Sequence, residues 1–260
     1  MEKYDQIGQN YNHTRKADPF LTSKLTDLLS PIPGKTYLDI GCGTGNYTLE
    51  LEKTGAHFIG IDPSIEMLSK AKLKSKTIDW RVGFADNTGL VSESVDGILG
   101  TLTIHHWPDL YVAFKELHRI LKPHGNIVLF TSTPEQMRGY WLNHYFPNML
   151  ESSMNQMPSF EKVKDVMEKS GFTIPQTEAY FVKPDLKDLF LYCGKHNPSL
   201  YLDPQVRAGI SSFSSLANLD EVKQGLSKLQ KDLMSEEIND VMKEYENNVG
   251  DYLFIKGSKS

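Results

Sequence analysis

Tyr37-Leu38-Asp39-Ile40-Gly41-Cys42-Gly43-Thr44-Gly45-Asn46 is the stretch that decides how the chain folds. Four residues with an apolar majority run straight into three alternating glycines, and a helical pattern follows. Glycine has no Cβ, so such a loop turns sharply and lets backbone approach a ligand closely. About twenty residues on, a second apolar run ends Gly60-Ile61-Asp62-Pro63, leaving an acid at the tip of the next strand. An acid there is placed to accept hydrogen bonds from both hydroxyls of a ribose.

Outward from this loop the first half alternates strands and helices. Apolar runs predict strands at Thr36 to Ile40, Phe58 to Ile61, Asp79 to Val82, Gly97 to Thr103 and Asn126 to Thr131. Between the last two lies a helix over Asp109 to Leu121. Its Leu110, Ala113, Phe114, Leu117, Ile120 and Leu121 recur at three- and four-residue intervals and share one face. Alternating units of this length imply a parallel sheet with right-handed crossovers. Later signals are a helix at Phe160 to Lys169, strands near Ala179 to Val182 and Tyr252 to Lys256, and a helical stretch from Val222 to Tyr245 broken around Ser235. The material between the two late strands reads as a helical insertion. Its stripe of Val222, Leu226, Leu229 and Leu233 suits packing on a core or a dimer seam.

Bulk properties narrow the class. The 260 residues are 39% hydrophobic and 23% charged, which suits a packed globular core. A net charge of −5 offers no broad basic field for nucleic acid. Two cysteines, Cys42 and Cys193, make neither a disulfide framework nor a paired metal-ligand spacing. Neither a secretory signal nor a run of about 20 apolar residues is visible, so a cytoplasmic protein with no membrane partner is expected.

The loop departs from two nucleotide-binding patterns. A dinucleotide loop places its third glycine where Asn46 stands, and the Gly-Lys-Ser/Thr of a phosphate-binding loop is missing. Asp39 puts a carboxylate beside the loop, which suits a ligand carrying positive charge better than a pyrophosphate.

Leu38 to Gly45 resembles the first motif of the class I S-adenosylmethionine-dependent methyltransferases. The resemblance continues through Gly60-Ile61-Asp62, Phe84-Ala85-Asp86, Val95 to Leu99 and Arg119 to Leu129, a pattern common in the branch that includes quinone-biosynthesis enzymes. It implies an α/β, Rossmann-like, seven-stranded, mostly parallel sheet whose last strand is antiparallel, with helices on both faces and a helical substrate lid. It also implies S-adenosylmethionine as cofactor and S-adenosylhomocysteine as product. On this likeness Asp39, Gly41 and Gly43, with Cys42, line the methionine end. Asp62, with Pro63 beside it, holds the ribose. Ala85 and Asp86 meet the adenine, against which Ile65 or Met67 packs, and Thr101 or Leu102 passes close by.

The expected organisation is an N-terminal helical segment over 1–35 covering the cofactor, a cofactor-binding core over 36–133, and a lid with the closing strands over 134–260. Related proteins fold the N-terminal segment over the site, so Tyr11 and Arg15 either close the pocket or belong to a plain surface helix. His105 and His106, at the carboxyl edge of the fourth strand, either act as general base or shape the pocket. They are too divergent in direction, with no carboxylate cluster nearby, for a metal site. Trp141, His144 and Tyr145 either enclose the substrate, to which His105 is also assigned, or pack the lid. The expected partner is a small-molecule methyl acceptor and the expected state a monomer or homodimer. The rival readings are a non-catalytic S-adenosylmethionine-binding regulator and a methyltransferase acting on protein or RNA.

Overall fold

The computed structural model describes residues 14–260. Its centre is one seven-stranded sheet in the order β3-β2-β1-β4-β5-β7-β6. The strands are β1 (Thr36–Ile40), β2 (His57–Asp62), β3 (Asp79–Val82), β4 (Val95–Thr101), β5 (Leu121–Thr131), β6 (Phe172–Tyr180) and β7 (Tyr252–Lys259). Strands β1 to β5 pair in parallel, and β7 runs antiparallel to both its neighbours, β5 and β6. The order reverses at β1/β4, where an open α/β sheet leaves a crevice at the carboxyl ends of its strands.

The helices are α1 (Pro19–Leu29), α2 (Asn46–Glu52), α3 (Ile65–Lys74), α4 (Leu110–Ile120), α5 (Pro134–Arg138), α6 (Pro147–Gln156), α7 (Phe160–Lys169), α8 (Pro204–Ala208), α9 (Leu219–Ser235) and α10 (Ile238–Glu244). Helix α4 keeps its expected face: Ala113, Phe114, Leu117 and Ile120 are fully buried, while Tyr111 and Val112 face solvent. It starts where Asp109 accepts hydrogen bonds from the Tyr111 and Val112 N–H groups. Helices α4 and α7 cover one sheet face together with Val163, Met167 and Phe172. The larger core, on the other face, joins Leu21, Leu25 and Phe58 to the lid aromatics through Phe130 and Phe254.

Strand β5 starts at Leu121, five residues before the expected Asn126, and two further elements differ from the sequence expectation. Strand β4 stops at Thr101 because Leu102 turns into the left-handed region at φ +51, after which Ile104–His106 form a single 3-10 turn. Strand β6 starts at Phe172, earlier than the pattern suggested. Its register shifts between Thr173 and Gln176, where Pro175 has no N–H to give the ladder, so the apolar alternation is broken. The stripe on α9 faces inward: Leu229 is buried, and Val222, Leu226 and Leu233 pack against the core. The helix comes so close there that a Cβ on Gly225 would sit 2.4 Å from the Tyr145 carbonyl oxygen.

Candidate active site

Strand β1 delivers its chain into the glycine loop, and hydrogen bonds to the neighbouring strand tip hold it. The Gly41 and Cys42 N–H groups both donate to the Ile61 carbonyl, at 2.8 and 3.1 Å. Gly41 has φ +71, and a Cβ on it would lie 2.0 Å from Thr103 Oγ1. Gly45 has φ +73, and a Cβ on it would lie 2.2 Å from the Trp80 ring. Both positions therefore need glycine for conformation and for space.

Asp62 at the end of β2 fixes the loop from below. One carboxylate oxygen accepts from the Gly43 N–H at 2.8 Å and the other from the Ser64 N–H at 2.8 Å. A carboxylate of this kind, with about four acceptor positions, has the chemistry that ribose hydroxyls need. Asn46, where a dinucleotide loop would carry glycine, bridges two neighbours. Its Nδ2 donates to the Arg15 carbonyl at 3.0 Å and its Oδ1 accepts from Lys74 Nζ at 2.7 Å. Lys74 also donates to Thr44, and burial, with Lys70 nearby, lowers its pKa to about 8.

Asp39 supplies the electrostatic test of what the loop holds. It is 1% exposed, and its Oδ2 accepts from Thr48 Oγ1 at 2.6 Å. Its Oδ1 is buried without a hydrogen-bond partner among the described residues. Burial raises its pKa to about 7, with Asp62 adding to the rise and the Thr48 hydroxyl opposing it. An orphaned acceptor beside a close-approach glycine loop fits a ligand whose ammonium meets it there. That donor set fits the cationic methionine end of S-adenosylmethionine.

A cavity of about 1290 Å³, counting its opening to solvent, lies over this loop. On the loop side it is walled by Gly41, Cys42, Gly43, Met67, Thr101 and Leu102, and by His105 and His106 from the 3-10 turn. The two imidazole centroids are 3.9 Å apart. Leu102, a left-handed non-glycine residue held by its N–H to the Phe130 carbonyl at 2.7 Å, is a strained position at the wall. Among the described residues no group of three His, Cys, Asp or Glu side chains is placed to hold a metal ion.

Arg15 also lines the cavity, and it is engaged. Its Nε donates to Asp188 Oδ1 at 2.5 Å and its Nη2 to Oδ2 at 3.2 Å. Tyr47 donates its hydroxyl to the same carboxylate at 3.0 Å, and Asp188 is 1% exposed. The segment around Arg15 is stitched on by the Leu189 N–H to the Thr14 carbonyl and the Lys187 N–H to Asp18. Tyr11 lies outside the described residues.

Not every expected residue reaches the cavity wall. Asp39, in β1, and Asp62, Pro63, Ala85 and Asp86 are not among the wall residues. Trp141, His144 and Tyr145 do not line it either. Trp141 is 2% exposed, its Nε1 donates to the Lys195 carbonyl at 3.2 Å, and its ring packs edge-on to Tyr145 and Tyr201. Tyr145 donates to Asp232 at 3.0 Å, and His144 contacts Lys228 Nζ at 2.6 Å. Burial and Lys228 together lower the His144 pKa.

The lid walls the sequence did not single out are Met137, Tyr140, Gln156, Phe190, Ile210 and Tyr252. Tyr140, immediately before Trp141, carried the same aromatic signal. Tyr252 opens β7, and the rest come from turns and short helices whose spacing reveals no face.

The methyltransferase-domain family model matches residues 38–129. A crystal structure of a protein provisionally identified as a methyltransferase from an antibiotic biosynthesis pathway of Anabaena variabilis superposes with a TM-score of 0.84. The two are 33% identical, across 94% of this chain and 98% of that one. The ubiquinone/menaquinone biosynthesis C-methyltransferase of Rubrivivax gelatinosus is 30% identical over 46% of this chain and 47% of its own. The biotin biosynthesis bifunctional protein of Teredinibacter turnerae is 31% identical over 53% of this chain and 26% of its own. The chain thus spans less than half the length of these two curated relatives. Likeness to the Anabaena protein from end to end at one third identity carries more than a shared fold, and the chain belongs to the class I S-adenosylmethionine-dependent methyltransferases.

Proposed function

We propose that the protein transfers a methyl group from S-adenosylmethionine to a small-molecule nucleophile seated against the lid. The observation that carries this is one cavity walled on one side by the glycine loop and on the other by Met137, Tyr140 and Phe190. A concave pocket of that kind suits a small acceptor better than a polymer, and the acidic balance of the chain weighs against RNA.

In this reading Asp39 meets the cofactor's ammonium, with Gly41, Cys42 and Gly43 along the methionine chain. Asp62 accepts from the ribose hydroxyls, with Pro63 beside it. Asp86 and the Ala85 backbone read the adenine, and Met67 packs on it. Thr101 and Leu102 flank the reacting end. Bound there, the cofactor supplies a methyl group on a positively charged sulfur that is already activated for attack. The residues of the chain hold the nucleophile in line and exclude water, and proximity of that kind supplies about 7–11 kcal/mol of a barrier. His105 or His106 accepts the proton that a hydroxyl or amine nucleophile gives up.

The test is release of S-adenosylhomocysteine from purified protein given S-adenosylmethionine and a panel of phenols, alcohols, amines, thiols and carboxylic acids. Turnover with at least one class supports the reading. Tight cofactor binding with no turnover on any class would favour a non-catalytic binder. His105→Ala and His106→Ala, assayed across pH, report on the base: unaltered rates and profiles in both remove that role.

A further inference from the structure

We propose that the methyl acceptor is an uncharged, largely apolar molecule carrying a hydrogen-bonding group that Gln156 reads, an inference that rests on the methyl-transfer reading above. The apolar part of the lid wall is Met137, Met157, Phe190, Leu191, Ile210 and Leu216. Thioethers and branched chains of this kind adapt to an apolar body and offer nothing to a charge.

The polar lid groups are nearly all committed to the protein itself. Tyr140 donates its hydroxyl to the Asp251 carbonyl, and Ser132 Oγ lies 3.0 Å from the same oxygen. The Tyr252 hydroxyl accepts from the Tyr192 N–H at 3.2 Å. Ser153 Oγ lies 2.9 Å from the Met149 carbonyl and 2.8 Å from Ser212 Oγ. Burial pushes the Tyr140 and Tyr252 phenols well above their usual range, so both stay neutral at any working pH. Among the described wall residues the only carboxylate and guanidinium are Asp188 and Arg15, which pair with each other in two hydrogen bonds.

An acceptor bearing a carboxylate, phosphate or ammonium would thus meet no fixed opposite charge on the lid side, His105 and His106 lying on the loop side, and burying such a charge is costly. Gln156 and Ser211 are the lid groups not tied down in this way, and Gln156 has the longer side chain. It lies at the carboxyl end of α6, half-buried, and its carboxamide has no hydrogen-bond partner among the described residues. It offers one acceptor and two donor hydrogens to a hydroxyl or carbonyl.

The experiment uses the full chain saturated with S-adenosylhomocysteine, titrated by calorimetry at neutral pH with 2-naphthol, 2-naphthoate and 2-naphthylmethylammonium. These probes share one ring system and differ in charge. The expected result is that 2-naphthol binds at least about tenfold more tightly than either charged probe. 2,6-Dihydroxynaphthalene, with a second hydroxyl, is expected to gain about three- to tenfold over 2-naphthol. That gain should vanish in Gln156→Ala, whose S-adenosylhomocysteine affinity serves as the control for folding. A charged probe binding as tightly as 2-naphthol, or none of the three binding, overturns the acceptor class. A diol preference that survives in Gln156→Ala overturns the role of Gln156. Failure of S-adenosylhomocysteine itself to bind strikes down the methyl-transfer reading and, with it, this inference.

Discussion

Asp39 would carry opposite demands in the free protein and in the proposed cofactor complex. Because its native pKa is raised from 3.8 to about 7, the fold disfavours its charged form. Its contribution to stability is fully present below the unfolded value and is lost as pH rises through about 7. The difference amounts to at most about 4 kcal/mol. Asp39→Asn is therefore expected to raise the melting temperature of the ligand-free protein at pH 8 and leave it nearly unchanged at pH 4, as read by differential scanning fluorimetry. Cofactor binding makes the reverse demand, since an ammonium needs the carboxylate. S-adenosylhomocysteine affinity should fall as pH drops below about 7, and Thr48→Val, which removes the hydrogen bond that lowers this pKa, should move the midpoint upward. Calorimetry across pH checks both. At Gly41 the obstacle is steric: Gly41→Ala places its methyl on Thr103 Oγ1, so its lost affinity should return in part with Thr103→Ala. The remaining deficit is the left-handed backbone, about 1–2 kcal/mol for an alanine, together with the 2.7 Å contact to the Cβ that Thr103→Ala retains. Residues of the loop were legible in the sequence because glycine and acid spacing reports directly on backbone shape. Arg15 was legible only as a candidate, since its partner Asp188 sits 173 residues away and no local pattern links them.

Between elements, the Arg15–Asp188–Tyr47 cluster ties the segment before α1 to the insertion between β6 and β7 across the start of α2. A buried carboxylate robbed of its guanidinium is costly, so Arg15→Ala should destabilise the protein by about 3–5 kcal/mol. Arg15→Ala combined with Asp188→Asn should cost clearly less than Arg15→Ala alone, because the stranded charge is gone. Urea unfolding of the two variants reports the difference; equal losses would mean the pair is worth only its packing. Element boundaries followed the sequence wherever one period ruled, as in α4 and β1. They failed at β4, where Leu102 takes a glycine-like φ, and at β6, where a proline interrupts the ladder. Aromatic content alone marked Trp141 and Tyr145 as pocket residues. Burial and hydrogen bonding decide between pocket and core, and both depend on partners in α9 and the turns that the sequence does not reveal.

At the scale of the molecule, the sheet and its reversal at β1/β4 place the glycine loop at the crevice, and the insertion roofs it. Among the described residues no helix is long and apolar enough to cross a membrane. The sheet could be read from the chain because alternating strands and helices leave few topologies. The lid could not, because short helices and turns packed around Tyr140, Tyr192 and Tyr252 carry no period. The two halves answer to different perturbations. Asp62→Ala removes the acceptor of the Gly43 and Ser64 N–H groups, so S-adenosylhomocysteine affinity should fall about 10- to 100-fold while the lid stays packed. Near-ultraviolet circular dichroism, which reports the lid aromatics, should be unchanged in that variant.

The most direct test of the central claim is calorimetric titration of the purified protein with S-adenosylhomocysteine, with NAD as the comparison ligand. Saturable one-to-one binding of S-adenosylhomocysteine and none of NAD is expected, because Asp39 and Asn46 stand where a pyrophosphate loop needs neutrality and glycine. Binding of NAD with silence from S-adenosylhomocysteine would contradict it.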